Sequence, residues 1–166
     1  MDTSTRLTGL AQAMETDLRS NILPFWTQSV PDQERGGFLG HIADDGTVDP
    51  EGPRGGVLNA RILWTFSSAF QRYAEDAYRA MADAARVELV DRFWDDTHGG
   101  IYWMLDRAGN VVSDRKQTYA LAFALYGLTE YYRATGSPAV LERALDLYRA
   151  IETHAADRDR VEAFPG

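Results

Sequence analysis

Apolar residues recur at helical spacing in five stretches of the chain. In residues 5–23, Leu7, Leu10, Ala11, Met14 and Leu18 form one face, with Arg6, Glu15 and Asp17 off it. In residues 76–93 the face is Tyr78, Met81, Ala82, Ala85, Leu89 and Phe93. A fifth helix starts with Ser137 as N-cap and Pro138 at the first helical position, its stripe being Leu141, Ala144, Leu145, Tyr148 and Ile151. Residues 57–73 and 116–133 differ from these three: VLNARILWTF and TYALAFALYGL are apolar almost all round. A helix apolar on every side is expected to be buried on every side. One-faced and all-round helices therefore alternate, which predicts an outer and an inner layer.

Short strand-like loops lie between the layers. Residues 36–49 and 99–113 each open with Gly-Gly, pass through an apolar run, turn at Asp45-Gly46 or Gly109-Asn110 and leave through a valine, the pattern of a β-hairpin. Gly36 and Gly99 are 63 residues apart (99 − 36), as are Gly46 and Gly109 (109 − 46). Phe25-Trp26 before the first loop has an echo in Phe93-Trp94 before the second. The repeating unit is outer helix, hairpin, inner helix, recurring about every 60 residues. Residues 1–166 then read as a single partial domain of about two and a half units, the third stopping at VEAFPG. Such an arc either collapses into a small bundle or is a piece of something larger, because closing it takes further helix pairs or a partner chain.

Composition narrows the class. Of 166 residues, 45% are hydrophobic and 25% charged, a globular balance. A net charge of −8 with no basic stripe excludes nucleic acid as the expected partner. The absence of cysteine removes disulfides, thiolate metal sites and cysteine nucleophiles and fits a reducing, cytoplasmic setting. The N-terminal stretch lacks the apolar core of a secretory signal, and no run reaches membrane-spanning length, so no membrane partner is expected.

Candidate chemistry gathers at the starts of the all-round helices. Asn59 and Arg61, followed by Trp64, lie in the first turns of one; Arg115, Lys116, Gln117 and Tyr119 hold the matching place on the other. An arginine in an apolar helix either pairs with a carboxylate or reaches into a cavity. If the two helices run parallel, both clusters meet at one rim. Trp26, Phe38, Trp64, Trp94, Tyr102, Trp103 and Tyr119 crowd towards that rim, and aromatic faces stack on sugar rings. For most of them packing is the simpler role: Phe93 and Trp94 close an outer helix, Trp64 packs between layers, and Trp103 and Tyr119 lean towards the cleft. His41, His98 and His154 have no metal-ligand spacing, so no metal is expected. Asp44-Asp45, Asp95-Asp96 and Asp157 to Asp159 read as solvated turns, leaving no carboxylate pair for a hydrolase or lyase of the same architecture.

Several strings in order resemble one family. NILPFW (21–26), GGFLGHI (36–42), VLNARILWTFSSA (57–69), GGIYWMLD (99–106), RKQTYALAFALYGLTEYYRATG (115–136) and VEAF (161–164) resemble the cellobiose 2-epimerase branch of the N-acylglucosamine 2-epimerase superfamily, over about the first two-fifths of that family's length. The resemblance implies an all-α fold, the N-terminal part of an (α/α)6 barrel. It implies inversion of C2 of the reducing-end glucose of β-1,4-linked disaccharides by histidine-mediated proton transfer through a cis-enediolate, without a cofactor. Arg61 matches the arginine of an LN-x-R motif that holds the oxygens at C1 and C2. Tyr119 matches the tyrosine of an RKQ-x-Y motif that touches the sugar. Asn59, Lys116 and Gln117 match positions lining or bracing the same wall, and Trp103 is a further candidate. The acid/base histidines of the family are expected beyond Gly166, in a missing C-terminal half of the barrel, which makes the chain by itself an inactive fragment. The alternatives are a mannose or N-acylglucosamine isomerase or epimerase of the same superfamily, and a non-catalytic sugar-binding module.

Overall fold

In the computed structural model, which describes residues 2–155, the chain divides after Phe38 into two units. In the first, α1 (Thr3–Asp17) passes through a π-helical turn (Leu18–Ile22) into α2 (Leu23–Gln28). The helix runs further than the expected end at residue 23, because the π-helical turn at Leu18–Ile22 shifts the hydrogen-bond ladder just ahead of Pro24 and leads directly into α2. The expected burial of its apolar face is not found. No residue of α1 is buried, and Leu7, Leu10 and Met14 are exposed. One continuous helical stretch has no second layer within its unit to cover a stripe.

Beyond α2 a tight turn is built on Asp32. Its Oδ1 accepts from the N–H groups of Glu34 (3.0 Å) and Arg35 (3.1 Å). Its own N–H donates to Gly37 and its carbonyl accepts from Gly36, and Pro31 then bridges to Phe38. Asp95, 63 residues on (95 − 32), builds the same turn in the second unit. Its Oδ1 caps Thr97 (2.9 Å) and His98 (3.0 Å), its backbone closes on Gly99 and Gly100, and Trp94 bridges to Ile101. The repeat is thus real at the level of hydrogen bonds, but its register corrects the echo read from the sequence: the counterpart of Trp94 is Pro31, not Trp26.

The second unit holds β1 (Arg54–Gly55), α3 (Gly56–Tyr73), α4 (Asp76–Val87) with a π-helical turn at Glu88–Arg92, β2 (Met104–Leu105), β3 (Val111–Ser113), α5 (Thr118–Thr135) and α6 (Pro138–His154). Residues 99–113 form the expected hairpin, β2 antiparallel to β3 with a bulge between Met104 and Leu105. β1 adds a third strand, pairing Arg54 with Leu105 and Gly55 with Met104. The loop at 36–49 falls short of a hairpin: past Leu39 it keeps one bridge, Ile42 to Val48, around the turn at Gly46.

Helices α3 and α5 pack on each other, α4 covers α3 and α6 covers α5. The inner pair runs parallel, since Arg61 meets Phe123, Trp64 meets Tyr126 and Gln71 meets Glu130. They approach closely at Gly127, where a Cβ would lie 2.6 Å from the Ala60 carbonyl oxygen. The α4 face is as expected, with Tyr78, Met81, Ala82, Ala85, Leu89 and Phe93 all buried. Side chains the size of Leu or Phe each contribute about 1.5–3 kcal/mol on burial. The α6 face is turned by one residue: Val140, Ala144 and Leu147 are buried, while Leu145 and Tyr148 are exposed. Ser137 stands at the N-cap with extended backbone but makes no side-chain cap bond. The inner helices are not buried on every side either. Arg61 on α3, and Tyr119, Ala122 and Tyr126 on α5, are exposed, because α4 and α6 cover only the opposite faces.

Candidate functional site

Both inner helices begin behind the three-stranded sheet, and each is held there by a basic residue two positions ahead of its first helical residue. Ahead of α3, Arg54 is 1% exposed and its Nη1 lies 3.3 Å from Oε2 of Glu88, itself 2% exposed. Arg92 reaches Oε1 of the same carboxylate at 3.2 Å. Ahead of α5, Lys116 donates to Oδ2 of Asp95 at 2.8 Å and sits 4.2 Å from the centre of the Tyr102 ring. Asp95 is therefore no solvated turn residue: it is buried and carries the lysine on one oxygen and two backbone N–H groups on the other. The lysine hydrogen bond and those N–H groups outweigh desolvation and hold the Asp95 carboxyl far below the usual carboxylate range. Burial first, and then the neighbouring Asp95 charge, push the Tyr102 phenol up.

The side chains singled out in the sequence distribute around this frame. Asn59 faces inward, with Nδ2 donating to the Gly55 carbonyl at 2.9 Å, and so braces the first turn of α3. Its Oδ1 and the Ser67 hydroxyl are buried without a hydrogen-bond partner among the described residues. Gln117 is the exposed N-cap of α5, its carbonyl accepting from Ala120 and Leu121. Trp103 is half-buried, its backbone tying the sheet together through Ser113 (3.0 Å) and Gly56 (3.1 Å). Arg61 is exposed and makes no ion pair among the described residues; its guanidinium lies 6.0 Å from the centre of the Phe123 ring. Tyr119, 59% exposed, meets the same ring edge-on at 4.8 Å.

Phe123 was not foreseen, nor was the role of its neighbours. Trp64 does not pack between layers: it is half-exposed and stacks on Tyr126 at 5.0 Å with the rings 11° from parallel. Tyr119, Phe123 and Tyr126 follow one another at i, i+4 and i+7, so a stripe was present in the sequence. An all-apolar helix gave no polar side to set it off. Towards the helix C-termini this face opens into a groove of about 670 Å³ lined by Trp64, Ser68, Gln71, Arg72, Tyr126, Glu130 and Arg133. Phe38 and Trp94, by contrast, are buried. None of the histidines lies on α3 or α5. His41 is in the 36–49 loop, His98 is exposed beside Asp95 (3.3 Å), and His154 ends α6. No cluster of potential metal ligands occurs among the described residues, and none of their helices is long and apolar enough to cross a membrane. Residues 156–166, including the Asp157 to Asp159 run and the VEAF string, lie outside the described residues.

Comparison with known proteins matches this geometry. Residues 36–163 fit the family model of N-acylglucosamine 2-epimerase (GlcNAc 2-epimerase). The chain is 43% identical over 148 residues to a cellobiose 2-epimerase of Bacteroides fragilis, covering 89% of this chain and 38% of that protein. The solved cellobiose 2-epimerase of Bacillus thermoamylovorans superposes with a TM-score of 0.88 at 37% identity, over 92% of this chain and 39% of that one. A D-mannose isomerase follows at a TM-score of 0.70 and 27% identity, over 80% of this chain and 33% of that one. The fold is part of the (α/α)6 barrel of these epimerases, and the chain spans under two-fifths of the length of the first two relatives. By sequence and fold together, this chain belongs to the N-acylglucosamine 2-epimerase family.

Proposed function

We propose that the protein carrying this chain is a carbohydrate epimerase that inverts C2 of the reducing-end glucose of β-1,4-linked disaccharides, turning cellobiose into glucosyl-mannose and lactose into epilactose. One observation carries the reading: a cation from α3 and a phenol from α5, Arg61 and Tyr119, both exposed, meet on the half-buried ring of Phe123. The platform offers the C–H face of a sugar a surface to stack on, with Arg61 poised for oxygens at its edge. After ring opening, a histidine removes the C2 proton and leaves a cis-enediolate; a second histidine returns a proton to the opposite face. Arg61 holds the oxygens at C1 and C2 and offsets the enediolate charge, and Tyr119 touches the reacting sugar. Both histidines come from a part of the barrel outside this chain. Asn59 and Gln117 brace the same wall, and Trp103 stands behind it.

A second reading, a mannose isomerase, is favoured by the likeness to the D-mannose isomerase structure. The two part on product. The full-length protein is expected to make epilactose from lactose and no fructose from mannose; fructose from mannose with no change in lactose overturns the first reading in favour of the second. Binding of cellobiose without turnover would make the protein a sugar-binding module instead.

A further inference from the structure

Lys116 reads from the sequence as a residue of the sugar-binding wall, yet its ammonium is already engaged. It donates to Asp95 at 2.8 Å and lies over the Tyr102 ring. Gly100, at φ 75°, lies beneath the lysine stem: a Cβ there would stand 3.8 Å from Lys116 Cδ and 2.9 Å from Leu121 Cδ2. A side chain at position 100 would thus push Leu121 in the first turn of α5, while the lysine stem lies in ordinary contact beside it. Asp95 has its other oxygen fixed by the Thr97 and His98 N–H groups, so the carboxylate has one orientation left to offer. Arg54 and Glu88 repeat the arrangement seven residues earlier on the α4 side (95 − 88), again two positions ahead of an inner helix. Two inner helices that are both tied by a cation to carboxylates of one short segment, Glu88 at the end of α4 and Asp95 in the turn that follows, hold a fixed relation at their N-termini. That relation sets Arg61 against Tyr119.

We propose that Asp95 is a positioning residue that acts through Lys116. The pair anchors the start of α5 and so places Tyr119 against the Arg61–Phe123 platform, and Lys116 does not itself bind sugar. This rests on the epimerase reading for its catalytic readout only. Misplacing a substrate-contacting group by an ångström costs a reaction about a hundredfold without removing any contact.

The test uses the full-length protein with lactose. Asp95→Asn and Lys116→Met are each expected to lower kcat about a hundredfold while KM changes little. The double variant should be no worse than either single one, and Lys116→Arg should recover most of the activity. A direct sugar ligand behaves differently: Lys116→Met would raise KM and Asp95→Asn would not reproduce it. That result overturns the proposal, as do losses that multiply in the double variant. Should the wild-type protein fail to turn over lactose, the epimerase reading falls by itself. The anchor is then read by hydrogen exchange at the amides of Ala120 and Leu121, which Asp95→Asn is expected to speed about tenfold, a change equivalent to 1.4 kcal/mol of local opening. Unchanged exchange there overturns the anchor.

Discussion

The starts of α3 and α5 solve one problem in two ways. Ahead of α3 the cation and its carboxylate are both sealed, Arg54 against Glu88, with Arg92 reaching the same carboxylate from the surface. Ahead of α5 the carboxylate is sealed but the lysine keeps its side chain 29% exposed, at the edge of the face that carries Tyr119. A sealed ion pair yields little net stability when formed and costs much when broken, because the surviving charge has nowhere to go. A half-open pair is softer. On the proposed reading, the first fixes the scaffold and the second sets the geometry of the surface around Tyr119. Arg61, one and a half turns into α3, depends on the first; Tyr119, at the start of α5, depends on the second.

The sharpest way to break the sealed side is Glu88→Ala, which takes the buried carboxylate away from Arg54. Urea unfolding is expected to show a loss of about 3–5 kcal/mol. Arg61→Ala tests the surface without touching either anchor: kcat on lactose should fall about 10²–10³-fold, with the unfolding midpoint unchanged. Gly127→Ala separates the helices at their closest approach while leaving both anchors chemically intact. The new Cβ collides with backbone, not with a side chain that can swing away, so about 1–3 kcal/mol of stability should be lost, again by urea unfolding. The smallest effect is on acid stability. Asp95 has a lowered folded-state pKa, so its contribution is complete above the unfolded value of about 3.9 and is lost as pH falls towards the lower folded one. The advantage of wild type over Asp95→Asn in urea midpoint should accordingly be full at neutral pH and shrink on acidification below that unfolded value.

Much of the scaffold was legible because helical period is a strong signal over 12 to 18 residues, the lengths of α4 and α3. The alternation of helix types found the inner pair, and the Gly-Gly spacing found the repeated turn. The failures share a cause: they depend on partners distant in sequence. On α6 two stripes, Val140-Ala144-Leu147 and Leu141-Leu145-Tyr148, are equally helical, and only the position of α5 decides between them. β1 is two residues long and exists through its pairing with β2, so no pattern could announce it. Asp95 sits in a DDT turn that looks solvated. Its burial follows from the loop folding under Lys116, 21 residues later (116 − 95). Glu88 did leave a trace, a charge three residues after Ala85 on an otherwise apolar face, but its partner Arg54 lay in a short loop with no pattern of its own. At the candidate site, Arg61 and Tyr119 were singled out through their motifs. Phe123, which joins them, was hidden by the apolar helix around it.

The most direct test of the account is to run the full-length protein on lactose in deuterium oxide and identify the products by NMR. Epilactose carrying one deuterium at C2 of its reducing-end sugar is the expected result, because proton transfer through an enediolate exchanges that hydrogen with solvent. Epilactose with its C2 hydrogen retained would speak against a solvent-exchanging base. Free glucose and galactose, or no product at all, would contradict the account outright.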